Sequence, residues 1–424
     1  MADNKLPFEI RKLIAESVDL ETLKNLRLAS KTWSAIGLDL LLLPTFHVKS
    51  FAFDIPRLIN VSKHAELSCR AARIIKTVVF QSSNWDPTIL RNILVNRHVA
   101  VSEWETLHFV PSWEEQEALE ELDAVIEQQG KDDILRLDAQ LLVLALQAIP
   151  QADTLKIVCE NQFKSRLLNK VWNEFSLEIH RLRNPDLQEV ICAAKAAGLR
   201  IQHLSHEHAL ALTFRLTNHQ SAIKTLGSSM TNLKSLSFHI QDTKSRFNFD
   251  PSRTTTLRSL ISAPELEELS IKFVTLTPPL IEFLPTIQLP RLHTLSLNSV
   301  SLVTPIFFSF LKIHVQTLKR LSINNADIAE HTENWKTCLV KFKDILGPHH
   351  VEKFQLAGTL RSFGQDRTTW FFWSIYDADW SEAGGVHPIS RRVAPKGRKD
   401  IEDYVLRDGP WPVENELDVS SVFT

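Results

Sequence analysis

The chain has 424 residues, enough for two or three domains or for one elongated repeat domain with a small appendage. Apolar residues make up 44% and charged residues 23%, which is the balance of a folded chain and excludes the charge excess that keeps disordered chains open. Lys and Arg total 48 against 50 Asp and Glu, a net charge of −2, so the basic field that general nucleic-acid binding needs is missing and no nucleic-acid partner is expected.

The four cysteines, Cys69, Cys159, Cys192 and Cys338, stand far apart without a CxxC pair. That argues against a disulfide framework and a zinc finger, and for a reducing compartment. The start is charged (Asp3, Lys5, Glu9, Arg11, Lys12), so no secretory signal is expected. The longest uncharged apolar run, Leu141–Ile149, has core-helix length rather than membrane-spanning length. A cytoplasmic or nuclear location, or both, follows, with no membrane partner.

The first predicted element opens at Pro7, since a proline is tolerated in the first turn of a helix. Ile10, Leu13 and Ile14 then make an apolar stripe, with Glu9, Arg11, Lys12 and Glu16 outside it. Asp19 reads as the N-cap of a second helix carrying Leu20, Leu23 and Leu26, and Ser30 as the N-cap of a third carrying Trp33, Ile36 and Leu40. Three short helices rarely stabilise themselves alone. Leu6, Ile10, Leu26, Leu28, Trp33, Leu41 and Leu42 exceed what such a bundle covers, so some of them should face another chain or the following domain.

The phrases L-P-x-E-I at Leu6–Ile10 and T-L-x-N-L-R-L-x-S-K-x-W at Thr22–Trp33 resemble an F-box, over about a tenth of the chain. F-boxes dock on the Skp-type adaptor of Skp/cullin/F-box ubiquitin ligases. The resemblance implies that Leu6, Pro7 and Ile10 enter the adaptor groove, with Leu26 and Trp33 in or under the same contact surface. A helical cap on the following domain would account for the same apolar surplus.

Further along, phrases of the form apolar-x-x-apolar-x-apolar return. The clearest are LKSLSF (Leu233–Phe238), LEELSI (Leu266–Ile271), LHTLSL (Leu292–Leu297), LKRLSI (Leu318–Ile323) and VEKFQL (Val351–Leu356). Their middle apolar residues step by 33, 26, 26 and 33, which are repeat-protein periods. Weaker copies are IKTVVF (Ile75–Phe80), WETLHF (Trp104–Phe109), ADTLKI (Ala152–Ile157) and IQHLSH (Ile201–His206). Helices are predicted at Trp113–Gln128, Ala139–Ala148, Asp186–Ala197 and Thr304–Ile313. Short units of this kind cannot bury an apolar face alone and must stack.

The L-x-x-L-x-L phrases resemble leucine-rich repeats, except that the usual Asn or Cys position holds Val300 and Ala326. The resemblance therefore implies irregular repeats without the usual polar ladder. The expected fold is α/β: an N-terminal trihelical F-box-like module (1–45), an irregular leucine-rich-repeat solenoid with parallel strands on its concave face and helices on its convex face (46–360), and an aromatic-rich C-terminal cap and tail (361–424). A Rossmann-like α/β domain is the structural alternative. Alternation along each strand puts Ser237 and His239, Ser270 and Lys272, Ser296 and Asn298, Arg320 and Asn324, and Lys353 on the concave face. Ser235, Glu268, Thr294, Ser322 and Gln355 share it. This mixed polar row suits a protein or peptide better than a small molecule, although solvated strand faces would read alike.

Past residue 360, Trp370, Phe371, Phe372, Trp373, Tyr376 and Trp380 cluster ahead of Gly384 and Gly385. They read as the cover of the last repeat or as part of a partner pocket. The basic stretch Arg391–Lys399 reads as a charged loop, with nuclear import as the alternative, and the acidic helix from Trp113 as a solvated face. HLSHEH at His203–His208 is the best metal candidate, yet no third ligand lies near it, so a solvated strand end is expected. No phosphate-cradling or nucleophile-elbow phrase is present. The expectation is a non-enzymatic adaptor without cofactor or metal, joining a Skp-type adaptor and its cullin core to an unidentified substrate protein. A free-standing repeat scaffold or inhibitor with a helical cap is the alternative, and a hydrolase or transferase with a scattered site is a third.

Overall fold

The computed structural model describes residues 6–41, 43–81, 87–96, 112–136, 139–158, 163–171, 186–210, 230–241, 261–274, 280–281, 284, 288–329, 333–362, 369–372 and 395–411. Its helices are α1 (Phe8–Ser17), α2 (Leu20–Ala29), α3 (Lys31–Leu41), α4 (Phe51–Lys63), α5 (Ala65–Ile74), α6 (Pro87–Asn96), α7 (Trp113–Arg136), α8 (Ala139–Gln147), α9 (Asp186–Ala196), α10 (Thr304–His314), α11 (Trp335–Leu346) and α12 (Pro395–Leu406). Its strands are β1 (Thr45–Val48), β2 (Thr77–Gln81), β3 (Thr154–Val158), β4 (His203–Leu210), β5 (Ser235–Gln241), β6 (Glu268–Val274), β7 (Leu280–Ile281), β8 (Thr294–Leu302), β9 (Arg320–Ile328), β10 (Lys353–Ser362) and β11 (Thr369–Phe372). The expected strand at Trp104–Phe109 lies outside the described residues. Among the described residues no helix is long and apolar enough to cross a membrane.

The chain is α/β, and its strands pair mostly in parallel. It divides into two compact units: Met1–Ser82 with Val125–Glu160 and Glu189–Ile201, and Ser83–Ala124 with Asn161–Gln188 and Gln202–Thr424. In the first, β1, β2 and β3 run parallel, with Phe46, Val78 and Leu155 in one register row and Val48, Phe80 and Ile157 in another. Helix α4 buries Phe51, Ile55 and Leu58 and packs on β1 and α8. That i, i+4, i+7 spacing is one face of a 3.6-residue helix.

In the second unit, β4, β5, β6, β8, β9 and β10 pair in parallel in that order. Strand β7 lies beside the end of β8, and β11 closes the β10 edge in antiparallel pairing. Equivalent positions of the successive strands lie side by side. Leu204, Leu236, Leu269, Leu295, Leu321 and Phe354 form one buried row, and His206, Phe238, Ile271, Leu297, Ile323 and Leu356 the next. The leading apolar residues Leu233, Leu266, Leu292, Leu318 and Val351 are buried as well, so each L-x-x-L-x-L phrase spends its three apolar positions on the core. Each strand begins alike: Glu267 and Glu268 both donate their N–H to the Lys234 carbonyl, His293 and Thr294 to that of Glu267, and Lys319 and Arg320 to that of His293.

The expected lack of a polar ladder is corrected in one respect. Val300 and Ala326 are buried and apolar, but the ladder is built one and two residues earlier. Ser299 and Asn325 adopt positive φ of 56° and 50°, as does Gly358 at 68°; Ser299 and Asn325 drop out of the β8–β9 pairing with no change of register, and the register shifts between β9 and β10 after Ala357. Asn325 donates from Nδ2 to Asn298 Oδ1 at 3.3 Å and accepts the Thr359 N–H at 2.9 Å through Oδ1. Asparagine is suited to this because its short amide can hydrogen-bond locally in the left-handed region.

Two further expectations change. His206 is fully buried, with Nδ1 2.9 Å from the Glu207 carbonyl and its ring against Phe238, so it is a core histidine rather than part of a solvated strand end. The basic stretch runs into α12 from Pro395 rather than forming a loop throughout, and α12 packs on α11 and β10 through buried Ile401, Tyr404 and Val405. Of the aromatic cluster, Trp370, Phe371 and Phe372 lie in β11, while Trp373, Tyr376 and Trp380 are outside the described residues.

Candidate protein-interaction surfaces

The N-terminal module is assembled by its caps. Pro7 precedes α1, and its carbonyl accepts the Arg11 N–H at 3.1 Å. Asp19 caps α2 by accepting the Thr22 N–H at 2.8 Å and the Thr22 hydroxyl at 2.9 Å, and these bonds hold its carboxyl below the ordinary range. Ser30 Oγ accepts the Trp33 N–H at 3.3 Å at the start of α3. Ala15, Leu23, Trp33 and Ile36 form the core, with Val18 and Leu26 against it.

Within this module α1 is turned the unusual way round. It buries Arg11 and Ala15 and leaves its apolar stripe in solvent: Leu6 is 44% exposed and Ile10 42%, and Leu13 and Ile14 are exposed beside them. Arg11 is only 6% exposed, and its Nε has no hydrogen-bond partner. An amphipathic helix folding alone would be expected to hide the stripe and present the arginine. Covering four half-exposed side chains would yield about 1 kcal/mol each, roughly 4 kcal/mol together.

The five sequence-predicted docking residues therefore separate. Leu6, Pro7 and Ile10 are exposed on α1 or its lead-in, whereas Trp33 is in the module core and Leu26 is half-buried against it. Phe8 and Leu28 are also exposed. Phe8 was missed because it lies off the stripe.

In the second unit, the expected polar residues fall in register on the face opposite the buried rows. Ser205, Ser237, Ser270, Ser296, Ser322 and Gln355 make one row. Glu268, Thr294, Arg320 and Lys353 flank it on one side, and His239, Lys272, Asn298 and Asn324 on the other. The serines are half-buried and Arg320 and Lys353 exposed, which leaves a band of small hydroxyls between longer side chains. Glu352 lies 3.7 Å from Lys319 and 3.9 Å from Arg320 at one end of the face. Farther along it, Asp327 pairs in register with Arg361; burial pushes the Asp327 carboxyl up, and the Arg361 charge opposes this. The arrangement offers donors and acceptors to an extended polar segment.

Among the described residues no group of three or more His, Cys, Asp or Glu side chains is placed to hold a metal ion. No protein-family model matches the chain. No curated protein matches it in sequence either.

Proposed function

We propose that this chain is a substrate-recognition adaptor of a Skp/cullin/F-box-type ubiquitin ligase. The N-terminal module would dock the Skp-type adaptor, and leucine-rich-type repeats would hold a substrate protein on the polar sheet face through Ser237, His239, Ser270, Lys272, Ser296, Asn298, Arg320, Asn324 and Lys353. Its contribution is proximity: tethering raises the effective concentration of the target beside the ubiquitin-loaded enzyme, with no chemistry by this chain.

The observation that carries this reading is the outward apolar stripe of α1, with Arg11 turned inward. The alternative, a free-standing repeat scaffold or inhibitor whose first helices are a cap, requires Leu6 and Ile10 to be buried by the rest of the chain, and their exposure weighs against it. The test is co-purification of the chain with a Skp-type adaptor, repeated with Leu6, Pro7 and Ile10 replaced by Asp. Capture by the wild type and loss in the variant support the proposal. Failure of the wild-type chain to capture the adaptor overturns it.

A further inference from the structure

Helix α1 is the least secured element of its module. Among its described side chains only Arg11 and Ala15 are buried, and of these Ala15 alone belongs to the module core, with Val18 half-buried just past the helix end. Leu23 of α2 and Trp33 and Ile36 of α3 supply the rest of that core. The caps divide the same way: Asp19 and Ser30 give side-chain acceptors to α2 and α3, whereas Pro7, ahead of α1, has none to give. Arg70 of α5 also donates to the Ala35 carbonyl of α3 at 2.6 Å, which ties α3 to the chain that follows.

The side chains that α1 turns inward hold it weakly. Ala15 brings a single methyl group to the core, among the smallest contributions a side chain makes. The stem of Arg11 packs, but its Nε is buried without a hydrogen-bond partner, which opposes closure. At 10 residues α1 is also shorter than the roughly 12–15 that an isolated helix needs in water. With about 100° per residue, the mean direction of Ile10, Leu13 and Ile14 lies about a third of a turn round the helix from that of Arg11 and Ala15. The residues that could secure α1 therefore point away from the surface it sits on.

We propose that α1 is a detachable docking helix: it opens from α2 and α3 while those two stay folded, and a partner that covers Ile10, Leu13 and Ile14 holds it closed. The identity of that partner rests on the ligase reading above, and the opening itself does not. The partner's apparent affinity then scales with the fraction of chains in which α1 is closed, so Arg11 sets that affinity from the face the partner never touches.

The test is hydrogen exchange of the full chain, read by mass spectrometry of its peptides with no adaptor present. The amides of Arg11–Ser17 are expected to show protection at least about thirtyfold below those of Ser34–Leu41. Arg11→Met keeps the stem and the helix propensity but removes the unpartnered nitrogen, so it raises α1 protection about fivefold or more and leaves α3 unchanged. Leu13→Gln, of similar propensity, leaves both as in the wild type, since Leu13 is 58% exposed. Protection of α1 within about threefold of that of α3 in the wild type, or no rise in Arg11→Met, overturns the proposal. So does a loss of about tenfold in α1 protection in Leu13→Gln, since the stripe would then already be covered within the chain. With no adaptor in the measurement, its failure leaves the ligase reading standing, and failure of the co-purification leaves the opening of α1 standing.

Discussion

His314 gives the sharpest stability test of the stacked strands. It ends α10 with 2% of its surface exposed, its ring 4.1 Å from that of Phe310 between centroids. Its Nε2 accepts the Leu289 N–H at 3.0 Å, so Nδ1 carries the proton and donates to the Phe310 carbonyl at 2.8 Å. Its own carbonyl accepts the N–H groups of Thr317 and Leu318, so the residue links the turn before β8 to the turn before β9. Protonating Nε2 would set two donors face to face, costing the hydrogen bond and leaving a buried N–H unpaired, about 1–3 kcal/mol.

Burial holds this ring below its ordinary value of 6.5, and the Phe310 carbonyl opposes that shift. The sign follows directly. The unfolded chain takes up a proton near pH 6.5 that the folded chain refuses until lower pH, so the stability is whole above that point and falls as pH drops below it, by at most about 1.4 kcal/mol per pH unit. His314→Leu keeps much of the volume but strands the Leu289 N–H, so at pH 7.5 it should destabilise the second unit by about 2 kcal/mol. Urea unfolding, followed by tryptophan fluorescence at about pH 7.5 and 5.5, should show the wild type losing stability toward acid and the gap to the variant closing. A gap that stays constant between those pH values would refute this assignment of roles.

Asp327 should behave in the opposite sense. Its carboxyl is raised by burial, so the folded chain holds that proton more tightly than the unfolded one, and Asp327→Asn should stabilise at neutral pH with the gain vanishing in acid, as thermal melts across that range would show. Gly358→Ala should destabilise by at least about 2 kcal/mol in urea unfolding, because φ is 68° and a Cβ would overlap the Asn324 and Asn325 carboxamide oxygens. Arg11→Met should leave the melting temperature unchanged or raise it, since it removes a buried guanidinium nitrogen without a partner; a loss above about 1 kcal/mol would show that Arg11 holds the module together.

The strand rows were legible because the core demands the same three apolar positions in every phrase; Leu236, Leu269, Leu295 and Leu321 are in register as their spacing implied. The polar rows were legible for the same reason, since a two-residue alternation puts Ser237, Ser270, Ser296 and Ser322 opposite them. The positive φ at Ser299 was not, being rare for serine, whereas Asn325 is of a residue type that tolerates it. The caps Asp19 and Ser30 were read from short-range chemistry and are found in place. The orientation of α1 was hidden, because an apolar stripe marks the face a helix wants covered and does not say by what. His206 misled for a related reason: a histidine-rich phrase looks polar, but its strand alternation and its backbone hydrogen bond carry the ring into the core.

The central claim rests on the α1 stripe, and the most direct measurement is calorimetric titration of the full chain with a purified Skp-type adaptor, for the wild type and for Leu13→Asp. Leu13 is exposed, so the substitution should leave the unfolding midpoint in place. The account predicts a one-to-one complex for the wild type and an affinity lowered at least about a hundredfold for the variant, the cost of setting a carboxylate in an apolar groove. No heat of binding with the wild type, or equal affinity for both proteins, would contradict it.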